Sequence, residues 1–388
     1  MEQTYEKIIG PEYIKHFMCI GGACEDTCCA GWSIFIDEET YKKYRKVKDK
    51  TIKARLDKEI VSKRSQTAYG YAAKIKLKNG NCAFLSKQGL CDIYSTLGEN
   101  YLSDTCTLYP RTINKINNTL EYALIGSCPE AARLILLNKE PMKFVELKSK
   151  EKIKSLNLQL TVHHLKPYRW QDYFFKLREG IITILQNRIY TLEERMARLE
   201  AFMQGIENHT VPQLFKKIPL FLESHHKSKT KSLDYDVSGE MALALELKAL
   251  KDQKKIKAKR YGECLEEMLL GLGLESKTDF SLAGKKYKEG YEKYYLPFIH
   301  EKGYMIENYF VNYVFERCVP LDTESPLQSF ERMELYYRLI RMHLIGTACS
   351  QGEITAEAVV KLIQSLSKAF DHEDETFKNI LKFTKQNK

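Results

Sequence analysis

Eight cysteines crowd the first third of this 388-residue chain, and they constrain its folding more than any other feature. Four of them, Cys19, Cys24, Cys28 and Cys29, fall within eleven positions in "CIGGACEDTCCAGW" (residues 19–32). Cys82, Cys91, Cys106 and Cys128 follow at longer intervals. Thiolates hold zinc or iron through short loops that bring sulfurs to about 2.3 Å from the metal, and a second group from distant sequence closes the site. A region built this way is rich in turns. Cys264, Cys318 and Cys349 lie far apart in apolar, helix-like surroundings and read as small core residues.

Four readings of the N-terminal cysteines compete: disulfide staples, a zinc knuckle, a redox switch and an iron–sulfur cradle. No apolar run reaches the ~18–20 residues that cross a bilayer, and "MEQTYEKIIGPEYIKHF" lacks a signal-peptide core. An intracellular, cytoplasmic chain without membrane attachment is therefore expected, and that compartment disfavours disulfides. No Cys-x2-Cys pair occurs, which weakens the zinc knuckle. "CEDTCCAG" supplies the first two positions of a Cys-x3-Cys-x2-Cys radical motif, but Gly31 stands at the third. A four-iron cluster in another arrangement fits best, with zinc as the alternative metal.

The expected fold is α+β and predominantly α, with a small cysteine-rich domain carrying β-hairpins before a larger all-helical domain. Residues 1–140 read as the metal-binding domain, 141–168 as a lysine-rich extended crossover and 169–388 as the helical domain. "WSIFID" predicts a strand, with a helix opening near Asp37–Glu39. Hairpins are expected to turn at Asn79-Gly80 and at Asn117–Asn118, and "CPEAARLILL" predicts a helix. "TLEERMARLEAFM" opens with a capping box, Thr191 and Glu194. Further helices are expected over "EMALALELKALKDQKKIKAK", "YGECLEEMLLGLGL", residues 301–318 and "TAEAVVKLIQSLSKAF", with an exposed loop at 224–232.

The net charge of +10 is concentrated in residues 41–64, which carry eight lysines and three arginines against three acids. Such a stretch reads either as solvated helix or as an attractor for nucleic acid or an acidic protein, and nucleic acid is the less favoured partner.

"HFMCIGGACEDTCCAGWSIFID", followed by "CAFL", "GLCDIY" and "LGENYLSDTCTLYPR", resembles the flagellin lysine-N-methylase family. That family is related to small cysteine-rich zinc- or iron-chelating domains. The likeness returns at "YEKYYLPFIHEKGYMIENYFVNYVFERCVP" (residues 291–320). It implies methyl transfer from S-adenosylmethionine to flagellin lysines, with an iron–sulfur cluster in the cysteine-rich domain. By motif position its ligands would be Cys19, Cys24, Cys28, Cys29, Cys91 and Cys106. Cys82 and Cys128 stand open between ligand and buried structural thiol.

The glycine-rich turn that usually binds S-adenosylmethionine is missing. "GLGLESKTD" follows a helical stretch, so its glycines end a helix, and "IGSCPE" has a single glycine. A sulfonium bound at or near the cluster would account for this. Arg111, after Pro110 in "TLYPR", could bond an anionic cluster or a cofactor carboxylate. In "IENYFVNYVF", Asn308 and Asn312 share a helix face, as do Tyr309 and Tyr313, a wall suited to an ammonium or methylsulfonium. The competing reading is an aromatic helix packed in the core. Glu307 and Glu316 are candidate bases, and His163 and His164 read as a boundary loop or edge strand. Two other functions remain in play: a non-catalytic zinc- or iron-binding adaptor, and a thiol redox sensor.

Overall fold

A computed structural model of the chain describes residues 7–62, 71–147, 156–162, 169–208, 213, 236–275, 279–371 and 374–386. The fold is α+β and mainly α, with small sheets in the N-terminal part and helices after them. His163, His164 and the loop expected at 224–232 lie outside the described residues.

A small layer forms first. β2 (Phe35–Asp37), β3 (Ile60–Ser62) and β4 (Tyr71–Ile75) pair in the order β2-β4-β3 beside α1 (Glu38–Arg45) and α2 (Lys50–Glu59). Asp37 closes β2 and caps α1 by accepting the Thr40 N–H at 2.8 Å. Asp49 caps α2 in the same way, through the Thr51 and Ile52 N–H groups. Ile34, Ile36, Tyr44, Ile52, Leu56 and Phe84 fill the space between sheet and helices. The basic stretch thus forms two short helices whose lysines meet acids one turn away: Lys42 with Glu38 at 2.7 Å, Lys43 with Glu39 at 2.8 Å, and Lys53 with Asp57. These are solvated helix faces.

β5 (Leu77–Lys78) and β6 (Asn81–Cys82) form the first expected hairpin, with Asn79 and Gly80 at φ of +51° and +81°. α3 (Asp92–Leu97) and α4 (Asp104–Leu108) follow. The second hairpin joins β7 (Arg111–Ile116) to β8 (Thr119–Leu124) and turns at Asn117–Asn118 as expected. Sequence patterning does not single out β1 (Lys7–Pro11), which lies parallel to β8. With β9 (Phe144–Glu146) and β10 (Leu158–Leu160) it completes a five-stranded sheet, order β10-β7-β8-β1-β9.

α5 (Pro129–Leu136) turns one apolar face, Ala131, Ala132, Ile135 and Leu136, into the same core as the later helices. Those helices are α6 (Phe174–Gln186), α7 (Leu192–Asn208), α8 (Val237–Asp252), α9 (Lys259–Leu272), α10 (Phe280–Gly290), α11 (Leu296–Lys302), α12 (Tyr304–Glu316), α13 (Pro326–Gln351), α14 (Ala356–Phe370) and α15 (Asp374–Gln386). The capping box of α7 is formed, with Thr191 N–H on Glu194 and Glu194 N–H on Thr191. α8 stops at Asp252, short of the expected lysine-rich extension, because Lys254 turns the chain at a φ of +57°. α12 is buried on every side from Met305 to Phe315, its polar Glu307, Asn308 and Asn312 each bonded to neighbouring segments. α9 and α13 cross backbone to backbone, Gly271 against Gly346. Among the described residues no helix is long and apolar enough to cross a membrane.

A candidate thiol-rich metal centre

The cysteine loop is tied to the rest of the chain through its backbone. The Cys82 N–H donates to the Cys29 carbonyl at 2.7 Å, and Ala30 bridges Asn81, so the loop is fixed to the β5–β6 hairpin. Trp32 Nε1 donates to the Cys28 carbonyl at 2.8 Å, and its ring leans on Tyr109. These bonds set Cys28 and Cys29 against the small core, where Cys29, Cys82, Cys91 and Cys106 pack together. The Cys29 thiol is a close neighbour of those of Cys28 and Cys82 and interacts with both. Cys91, immediately before α3, and Cys106, within α4, both lie within electrostatic reach of Cys28.

A second group stands beside this one. Cys128, at the N-terminus of α5, faces Cys24 and Cys19, and Cys24 in turn is a neighbour of Cys28. The six expected ligands are thus linked pairwise, Cys28 to Cys24, Cys29, Cys91 and Cys106, and Cys19 through Cys128 to Cys24. The structure also adds Cys82 and Cys128, whose role the sequence leaves open. The signal for both was proximity to the other cysteines, but their isolated positions resemble those of ordinary buried thiols.

Most of these thiols are held in the protonated form. The neighbouring Cys29 thiol, with burial, pushes the Cys28 thiol far up. Cys29 gains from that contact, but its contact with Cys82 and burial prevail and take it up to about 12. Burial raises Cys24 and Cys91, takes Cys106 up to about 12 and Cys128 up to about 11. Cys82 goes the other way, because Cys29 stabilises its thiolate. Among the described residues no three His, Cys, Asp or Glu side chains close around a common point as metal ligands do. Neighbouring thiols held protonated would have to give up their protons to a metal. The donors are sulfur throughout, soft ligands suited to iron–sulfur or zinc.

The helical part reaches this face through charge. Lys368 of α14 is 8% exposed, ion-paired with Asp26 at 2.5 Å and donating to the Thr27 carbonyl at 2.9 Å. It also lies close enough to Cys28 to favour a thiolate there. Gln364, one turn earlier, donates to Asp26 at 2.8 Å and to the Ser127 carbonyl at 2.7 Å. Glu25 meets Arg133 of α5 at 2.6 Å and Arg260 of α9 at 3.8 Å, and these cations hold its carboxyl below the usual range against the cost of burial.

The other expected residues are spread through the molecule. Arg111 opens β7 and lies over the Phe17 ring at 5.1 Å, two residues before Cys19. Tyr309 is in the core, with Phe310, Tyr313 and Tyr336 around its ring. Asn312 donates to the Leu124 carbonyl at 3.0 Å and accepts from Tyr13. Glu307 is fully buried, with Arg188 at 2.8 Å and Arg195 at 2.7 Å, a clamp on both oxygens. Glu316 bonds Arg317 at 3.0 Å, and burial pushes its carboxyl up to about 7.

Fold and site together define a helical scaffold that presents a thiol-rich face. Residues 178–388 match the FliB lysine N-methylase C-terminal domain, and the chain belongs to that family. Over 139 residues it is 36% identical to the flagellar biosynthetic protein FliU of Salmonella muenchen, across 36% of this chain and 82% of that protein. It is 35% identical over 136 residues to the lysine-N-methylases of Salmonella choleraesuis and Salmonella typhimurium, in each case across 35% of this chain. The aligned part is 34% of the length of each lysine-N-methylase. No solved structure matches the chain.

Proposed function

We propose that this protein is a protein-lysine N-methylase acting on flagellin, that S-adenosylmethionine is its methyl donor, and that its thiol-rich face holds an iron–sulfur centre, a 4Fe-4S cluster. The carrying observation is that cysteines from distant segments come within electrostatic reach of one another, beside a loop that the family's helical domain braces through Lys368 and Gln364. The names of the relatives supply the reaction and, through flagellar biosynthesis, the substrate.

The ligands would be drawn from Cys28, Cys29, Cys82, Cys91 and Cys106, with Cys19, Cys24 and Cys128 beside them. When bound, such a centre supplies iron able to take up an amine or carboxylate group and to exchange an electron. The chain's own residues do the rest. Lys368 balances negative charge beside Cys28, and Glu25, Arg133 and Arg260 hold the loop in register. The described sheets are small and none is a doubly wound parallel sheet, consistent with a donor held at or near the centre instead.

Anaerobic isolation followed by iron, sulfide and zinc analysis and a visible spectrum tests the centre. Iron with matching sulfide and visible charge-transfer absorption is expected, reduced by Cys29→Ser and unchanged by Cys264→Ser, whose thiol is buried against Ser365. One zinc per chain and no visible absorption would favour the adaptor reading instead.

A further inference from the structure

The positive charge left over on α1 and α2 gathers at one turn. Every acid of residues 37–62 is already engaged. Asp37 and Asp49 cap the two helices, Glu38, Glu39 and Asp57 meet lysines one turn away, and Glu59 meets Lys78 at 2.7 Å. Arg45, Lys46, Lys48, Lys50 and Lys58 are exposed and have no acidic partner among the described residues. Unbalanced charge of this kind repels itself, and a partner of opposite sign relieves it.

Arg45, Lys46, Lys48 and Lys50 stand on the turn from α1 to α2, and its backbone is fixed. Val47 is 9% exposed and anchors the middle of the turn in the small core. The Lys46 N–H donates to the Lys43 carbonyl at 3.0 Å, and Asp49 accepts the Thr51 and Ile52 N–H groups at 2.8 and 3.0 Å. Lys58 stands at the far end of α2, about 15 Å away at helical rise. α2 also joins this face to the thiols. Its inner residues Ile52 and Leu56 pack in the core that Cys29, Cys82, Cys91 and Cys106 border. Arg55 donates to the Ala83 carbonyl at 3.1 Å, next to Cys82, and pairs with Asp92 at 2.8 Å, next to Cys91. A protein seated on the outer face of α2 thus lies about 10 Å, one helix diameter, from these segments.

We propose that this basic face docks an acidic surface of the protein substrate and steers it to the thiols. The proposal rests on the methylase reading and names the contact by which that reading's substrate is recruited. A protein suits the face better than a nucleic acid. Single strands are held by stacking on exposed rings, and the one aromatic residue within 42–58, Tyr44, is buried. Base edges are read by bidentate forks, whereas all the unpaired cations but Arg45 are lysines, point charges that suit scattered carboxylates.

The test compares two triple charge reversals in the full chain. Lys46→Glu/Lys48→Glu/Lys50→Glu alters the face, and Lys255→Glu/Lys288→Glu/Lys382→Glu makes the same change in net charge at exposed positions of the helical part. Flagellin association is followed by biolayer interferometry from low to high salt, with duplex DNA as the competing probe. The face variant is expected to bind flagellin about tenfold more weakly at low salt, chiefly through slower association, and the difference shrinks as salt screens it. Its KM for flagellin should rise by about tenfold with kcat unchanged, a split that misfolding or loss of iron does not produce. The second variant should match the unaltered chain. Equal losses in both variants, flagellin binding indifferent to salt and to the face variant, or face-dependent binding of DNA but not of flagellin overturns the proposal. Methyl transfer with an unaltered KM in the face variant rejects the docking face and keeps the methylase. Face-dependent flagellin binding without any methyl transfer does the reverse.

Discussion

His343 sits fully buried against the Tyr261 ring, with Nδ1 donating to the Leu339 carbonyl at 2.8 Å and no partner for Nε2 among the described residues. Burial holds the imidazole down to about 4, from its ordinary 6.5. Protonation therefore favours the unfolded chain. The contribution is complete above the unfolded value and is lost as pH falls from 6.5 toward about 4, on the order of 3 kcal/mol in all. Denaturant unfolding of the unaltered chain and of His343→Gln across that range should show a stability difference that shrinks by this amount. A constant difference would contradict it. The candidate site shows the same dependence on surroundings. Cys28 and Cys29 stand out as ligand candidates through their close spacing, whereas Cys91 and Cys106 do so only through the motif positions of the family resemblance. Cys82 was not legible as one, because its partnership with Cys29 comes from a backbone bond between segments about fifty residues apart, and neighbouring sequence does not record it. Tyr309 and Asn312 show the converse, since a polar and aromatic face on α12 reads alike whether it lines a pocket or packs in the core.

α9 and α13 cross at glycines, and a Cβ on Gly271 would stand 1.8 Å from the Gly346 carbonyl oxygen. Gly271→Ala must push the helices apart, at a cost of about 3 kcal/mol in denaturant unfolding. Gly262→Ala on the same helix meets Lys251 Cε at 3.6 Å, an ordinary contact, and should be neutral or stabilising by about 0.5–1 kcal/mol. Equal effects would refute the close crossing. Between loop and helix, the nearly buried Asp26–Lys368 pair predicts that Lys368→Met costs about 3 kcal/mol by stranding a carboxylate. It should also slow thiol labelling at Cys28 in metal-free protein, because the cation that favours its thiolate is gone, and Asp26→Asn in the same chain should restore part of the lost stability. Elements whose cause is local were legible: the hairpin turns at Asn79-Gly80 and Asn117–Asn118, the capping box of α7, and Gly273 ending α9 at a φ of +76°. Pairing of β1 with β8 was not, because a parallel partner more than a hundred residues away leaves no periodic mark on a five-residue strand. α13 is similarly hidden, being buried along most of its length and lacking a one-sided apolar stripe.

At the scale of the whole molecule, one large core runs from the end of β8 and α5 through the C-terminal helices, and a small core supports the thiols. The large core supplies rigid cations, Arg133, Arg260 and Lys368, at the edge of the small one. This arrangement explains how a loop with little apolar content is held near the helical domain that carries the family match. The central claim is that this assembly transfers methyl groups to flagellin lysines. Intact-mass and peptide mass spectrometry of flagellin co-expressed with the chain tests it most directly. The account predicts mass increments of whole methyl groups on lysines, lost with Cys29→Ser. Flagellin of unchanged mass, with both proteins folded and abundant, would contradict it.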